Sequence, residues 1–233
     1  MLEPILLSLK VAVAAVVIDF FVGIAIARAM ARKEFACKHA LESLIILPMV
    51  LPPTVMGYGL LILLGKRGPI GHFLLETFDL QLVFTWWAAV IASAVVSFPL
   101  MYQSAKAAFA GVDLSLERAA RTLGAKELRI FLTITLPLAW PGILAGLVLS
   151  FARALGEFGA TLMVAGNIPG KTQTIPLAIY FAVESGDTGT ARNLVLVITV
   201  LSFCTVFWLN WWSRNKLQQW KKGGQSHAQS GHP

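Results

Sequence analysis

Charge is scarce in this chain. Only 13% of its 233 residues are Asp, Glu, Lys or Arg, against 57% that are hydrophobic. A soluble domain carries about twice that charged fraction, so a soluble globular fold is excluded. Cysteine is nearly missing: Cys37 and Cys204 stand far apart, a placement that builds neither a disulfide framework nor a metal cluster. The acidic residues number 12 against 19 basic ones, and with the four histidines they form no group of catalytic or metal-ligand spacing. A phosphate-binding loop is also missing. The nearest stretch, Gly59 to Arg67, puts five residues between Gly59 and Gly65 and an arginine where Ser or Thr must hold magnesium. The chain therefore reads as one that binds no cofactor and holds no nucleotide site.

What is present is a series of apolar runs, each near the ~20 residues that cross a ~30 Å hydrocarbon core. They predict about five transmembrane helices, roughly Ile5–Ala29, Leu44–Leu64, Val83–Met101, Leu138–Val164 and Leu194–Trp212. The expected fold class is thus an all-α membrane protein. Residues 1–213 form one transmembrane domain with a charged cytoplasmic loop at 106–137, and 214–233 form a polar tail. The tail has no apolar periodicity and is expected to be disordered; His227 and His232 within it are weak metal candidates.

Basic residues set the orientation. Arg28, Arg32, Lys33 and Lys38, then Lys106, Arg118, Arg121, Lys126 and Arg129, then Arg214, Lys216, Lys221 and Lys222 fall on one side. These are 13 of the 19; Lys10, Lys66, Arg67, Lys171 and Arg192 take the other side, and Arg153 falls inside the fourth span. The N-terminus is expected outside, with the charged loop and the C-terminus in the cytoplasm. The net charge of +7 is accounted for by this topology, without a nucleic-acid partner. Glu3 precedes the first span and the basic cluster follows it, the reverse of a cleaved signal peptide, so it reads as an uncleaved anchor. Trp86 and Trp87, and Trp208, Trp211 and Trp212, read as interfacial anchors against membrane lipid.

Three features are costly inside a bilayer. Span two carries Pro48, Pro52, Pro53, Gly57 and Gly59. Proline removes a backbone donor and clashes with the preceding turn, so Pro52, Pro53 and Thr54 mark either a kinked packing helix or a pathway-lining gate. Arg153 and Glu157 stand at i and i+4, which on one continuous helix pairs them. The pair is either structural or a gate, or Arg153 is a functional cation in its own right. Asp19 lies in the middle of the first span, where an Asp costs about 2.5–3.5 kcal/mol on insertion scales. It is expected to face the bundle, pair with a cation or stay protonated. Gly65–Gln81 reads as an outer loop with a short apolar stretch.

The loop after span three has its own pattern. Asp113 is placed to cap a helix whose apolar residues Leu116, Ala119, Ala120 and Leu123 form one stripe. Glu117, Arg118 and Arg121 take the other face, Gly124 ends the helix, and Pro137 starts a new one. Such a helix either lies on the lipid surface or docks to a partner.

The order Ala119-Ala120, Gly124, nine residues, then Ile134-x-Leu136-Pro137 resembles the cytoplasmic signature loop of ABC-importer permeases. Arg118 stands where that pattern has Glu, and Glu117 lies one residue earlier. The stretch Phe151–Thr161 resembles permeases for molybdate, tungstate and sulfate. Asn167–Pro176 and Leu47–Gly57 are similar to the molybdate branch. The resemblance covers about residues 5–212. It implies a type I ABC importer permease core in a bacterial inner membrane, moving molybdate or tungstate by alternating access. It also implies that Glu117, Arg118, Ala119, Ala120, Leu123, Gly124, Ile134, Leu136 and Pro137 couple the chain to a separate ATPase subunit, which uses ATP and Mg. The other implied partners are an extracytoplasmic molybdate-binding protein and a second copy of the chain. A sulfate or thiosulfate permease is the alternative within transport. An intramembrane enzyme using Asp19, Glu157 or His72 is the alternative outside it.

Overall fold

The computed structural model describes residues 2–32 and 34–229, and among them it is helical without strands. Helix α1 (Leu2–Arg32) buries one stripe, from Ser8 through Val11, Ala12, Ala15, Val16, Asp19 and Gly23 to Ala27 and Met30. The broken pair α2 (Lys38–Val50) and α3 (Pro53–Leu64) follows, and then the short α4 (Pro69–Phe78). Helix α5 (Trp86–Ala110) is the central post, packed by α1 on one side and α8 on another. The charged loop holds α6 (Leu114–Thr122) and α7 (Glu127–Ile130). A π-helical turn at Phe131–Thr135 leads into α8 (Leu136–Leu155). The chain ends with α9 (Gly159–Ala165), α10 (Ile175–Glu184) and α11 (Thr188–Gln229).

Four stretches are long and apolar enough to cross a membrane: Leu2–Arg32, Trp86–Ala110, Glu127–Leu155 and Thr188–Trp208. Lys38–Val50 and Pro53–Phe78 are apolar enough only as a pair, and the pair is bent by 116°, the geometry of a broken span or a re-entrant loop. The cause is local. Proline 53 pushes its predecessor into extended backbone, and Leu51 and Pro52 take ψ of 143° and 139°. Span two is therefore broken outright, where the sequence allowed a mere kink.

Three further expectations are corrected. The fourth span does not run to Val164: α8 stops at Leu155, with Gly156 as its C-cap, and the chain restarts as α9. The apolar part of Gly65–Gln81 is the helix α4, which Pro69 starts at its first turn. The tail backbone continues as helix to Gln229. An existing helix needs no new nucleus, and Arg, Lys, Leu and Gln at 214–222 are good helix formers. Residues 230–233, including His232, lie outside the described residues.

Asp19 faces the bundle, 1% exposed. Ser97 Oγ stands 2.6 Å from Asp19 Oδ2 and 2.7 Å from the Ser93 carbonyl, and Ser150 Oγ donates to the Ser97 carbonyl at 3.2 Å. This polar cluster ties α1, α5 and α8 together at one depth.

Candidate functional site

The charged loop is built as a hook. Asp113 Oδ1 accepts the Ser115 amide at 2.8 Å and caps α6 as expected. That bond holds the Asp113 carboxyl below its usual range, so the cap persists until the pH falls past that lowered value. At the other end Gly124 adopts φ +80°, and the Ala125 amide reaches back to the Ala120 carbonyl at 3.0 Å. This closing turn needs a residue without a side chain.

Helix α6 turns most of its apolar stripe outward. Glu117 points inward and is 6% exposed, whereas Leu116 is 46% exposed and Leu123 87%. Arg32, at the end of α1, donates to Glu117 Oε1 at 2.7 Å, and Thr135 Oγ1 donates to the same oxygen at 2.9 Å. Arg121 Nη2 lies 3.7 Å from the other oxygen and also pairs with Glu127. The bond to Glu127 raises the Arg121 guanidinium above its ordinary value. A carboxylate held by a guanidinium and a hydroxyl outcompetes alanine and leucine for the inner face, because charge-assisted bonds are the strong ones. Glu117 and Arg121 thus serve the chain itself. Arg118 and Ala119 are exposed, with Ala120 half-buried. Behind the helix lies a polar cavity of about 340 Å³, lined by Arg28, Arg32, Glu117, Arg121, Glu127 and Thr135.

The second half of the signature belongs to the stem. Ile134 and Leu136 are half-buried, and Leu136 and Phe131 both pack against the buried cluster that holds Met30, Phe109 and Ile143. Pro137 continues a helix; it does not open a free one. The π turn just before it, where the Leu136 amide reaches the Phe131 carbonyl, loosens the helix where a proline lacks its own donor.

The other candidate residues meet at two span breaks. Gly159, first residue of α9, lies against Pro53, first residue of α3. A Cβ there would fall 2.8 Å from Pro53 Cβ. One turn on, a Cβ at Gly57 would meet Met163 Cβ at 2.8 Å and the Ala160 backbone at 2.9 Å. Pro52, Pro53 and Thr54 are exposed at the corner. Glu157 lies in the neighbouring break, 2% exposed, and its Oε1 accepts the Ala160 amide at 2.8 Å. Its Oε2 binds Arg153 Nη1 at 2.8 Å. The pair forms, but not on one continuous helix: Arg153 lies in the last turn of α8 and Glu157 lies beyond its cap. Arg153 is not buried as expected, its side chain being 35% exposed. The sequence pointed to the prolines and the ion pair. It did not single out Gly159, Arg32 or Thr135, whose roles depend on partners far along the chain.

The close approach of α3 and α9 predicts a paired outcome. Gly57→Leu overfills a contact with backbone and is expected to cost at least about 1–3 kcal/mol. Gly59→Ala, with nothing within 4 Å of the new carbon, is expected to stay within about 1 kcal/mol, on the favourable side. Melting temperatures of the purified protein in detergent compare the two directly.

Residues 8–217 match the model of the family described as binding-protein-dependent transport system inner membrane component. The chain belongs to this family. It is accordingly a multi-pass permease of the inner membrane, a transport component and not an enzyme. It is 50% identical over 206 residues to the putative molybdenum transport system permease protein YvgM of Bacillus subtilis, covering 88% of this chain and 91% of that one. It is 47% identical over 214 residues to the molybdenum transport system permease protein ModB of Escherichia coli K12, covering 91% and 93%. Among solved structures it resembles a bacterial ABC transporter that imports the acidic polysaccharide alginate. That match has a TM-score of 0.72 at 16% identity, covering 92% of this permease and 79% of that chain. The permease has the type I ABC importer fold.

Proposed function

We propose that this permease carries molybdate, or its close analogue tungstate, across the inner membrane by alternating access. The observation that carries the substrate assignment is the identity of 50% and 47% to two molybdenum permeases over about nine-tenths of the chain. An extracytoplasmic binding protein delivers the anion, and a separate ABC ATPase subunit, using ATP and Mg, drives the cycle. The chain itself binds no cofactor. The ATPase seats on the outward apolar side of α6, through Leu116, Ala119, Ala120 and Leu123, with Arg118 at the rim. Glu117, Ile134, Leu136 and Pro137 hold that hook to the bundle and carry its movement into α8. Two copies of the chain face one another across the pathway, and Pro52, Pro53, Thr54, Arg153 and Glu157 line or gate it. Support for this placement comes from the apolar exposure of α6 and from the two adjacent breaks, since irregular backbone at membrane depth survives only beside protein or a water-filled cavity.

Uptake of labelled molybdate in cells expressing the complete transporter tests the proposal. Uptake that requires the permease and resists excess sulfate is expected; no uptake of labelled molybdate, with uptake of labelled sulfate in the same cells, would move the assignment to sulfate.

The basic residues place the N-terminus outside and α6 in the cytoplasm. Cys37, which is exposed, is then reachable only from the cytoplasm. An impermeant thiol reagent is expected to modify it in inverted vesicles and leave it free in intact cells. Equal labelling from both sides would reverse or break the topology.

A further inference from the structure

The Arg153–Glu157 pair is asymmetric, and the asymmetry has a use. Glu157 is 1% exposed at its side chain and has two donors, the Ala160 amide at 2.8 Å and Arg153 at 2.8 Å. Arg153 is 35% exposed, and Glu157 is its only ion-pair partner among the described residues. If Arg153 swings away, Glu157 keeps a hydrogen bond, and the guanidinium keeps its charge with up to five donors free.

The depth of Arg153 decides where it turns. Asp19 is nine residues from Arg28 on α1, about 14 Å at 1.5 Å per residue. Ser97 links Asp19 to Ser150, so Ser150 lies near mid-membrane, and Arg153 is roughly one turn farther outward. A guanidinium one-third exposed at that depth does not face hydrocarbon; it faces water or the other half of the pathway. The adjacent corner at Pro53 and Thr54 is exposed as well.

We propose that Arg153 is a hand-over residue for the transported oxyanion: it releases Glu157 to bind a tetrahedral dianion in the pathway, then returns to Glu157 to let the anion go. The planar fork of Arg fits two oxygens of such an anion side by side. The returning carboxylate, kept in place by the Ala160 amide, competes for the same donors, so the anion is held briefly and not trapped. This inference rests on the proposed transport of molybdate.

The test uses the complete transporter in nanodiscs, without ATP or binding protein, and measures retained labelled molybdate. Glu157→Gln keeps an acceptor for the Ala160 amide but frees Arg153 from its counter-charge. It is expected to raise retention about tenfold or more, the size of one charge-assisted bond, and to slow uptake. Arg153→Gln with Glu157→Gln is expected to return retention to background. Should Glu157→Gln fail to assemble, Arg153→Lys in an otherwise native chain is read by uptake: partial activity is expected where Arg153→Gln has none. Unchanged retention in an assembled Glu157→Gln transporter, or retention that survives loss of Arg153, overturns the hand-over. Parallel measurements with sulfate separate the two proposals. Trapping of sulfate but not molybdate keeps the hand-over and removes the molybdate assignment. Trapping of neither, in a transporter whose native form imports molybdate, removes the hand-over alone.

Discussion

Leu123→Asp is expected to abolish ATP-driven uptake while leaving the membrane domain folded. Leu123 is 87% exposed at the tip of α6 and touches little of its own chain, so replacing it should change stability by no more than about 0.5 kcal/mol. Seated in a partner groove, the same leucine buries a side chain worth about 1.5–3 kcal/mol, and a carboxylate in its place adds a desolvation cost. A combined loss of ~3 kcal/mol weakens the association roughly a hundredfold. Copurification of the ATPase subunit, molybdate uptake and melting temperature read the three consequences. Leu116→Asp should behave alike, and Arg118→Ala, at a rim position, should be much milder. A Leu123→Asp transporter with its ATPase bound and full uptake would place the docking surface elsewhere.

Glu117→Ala should act by the opposite route, through the chain's own stability. It removes the acceptor shared by Arg32 and Thr135 and leaves the guanidinium beside a cavity lined by Arg28 and Arg121. Breaking a fully buried pair costs about 3–5 kcal/mol. Here the Arg32 side chain is 23% exposed, so water recovers part of that, and about 1–3 kcal/mol is expected. The hook should loosen from α1, with earlier proteolysis within 113–126 and reduced uptake even though Leu116 and Leu123 are intact. Arg32→Met combined with Glu117→Leu should restore most of the melting temperature, because an apolar pair of similar volume replaces a buried ion pair at little cost. Additive losses in that cycle would mean that Glu117 does not hold the loop to α1.

The contrast between these two residues shows where sequence patterning stops. Leu116, Ala119, Ala120 and Leu123 form a stripe at helical spacing, and that stripe was legible because periodicity is local. Which side of it turns inward was not. Arg32, 85 residues from Glu117, supplies the partner that holds the opposite, charged face inward. The ion pair at Arg153 and Glu157 was legible for a reason that proved incomplete. Spacing of i and i+4 brings them together on a helix, but Gly156 ends that helix between them, and the contact survives because Glu157 folds back to cap α9.

The residues alone determined the membrane-spanning class, four of the spans, the departure of span two from a straight helix, the cap at Asp113 and the turn at Gly124. Each of these follows from chain length, hydrophobicity or backbone restriction within a few residues. Only the tertiary structure decided that Asp19 closes onto Ser97, that Pro53 rests on Gly159, that Glu117 faces inward and that Arg153 keeps a third of its surface open. Those outcomes depend on which distant side chain arrives at hydrogen-bonding or van der Waals distance, and bonds of a few ångströms' reach are set by the packing of whole helices.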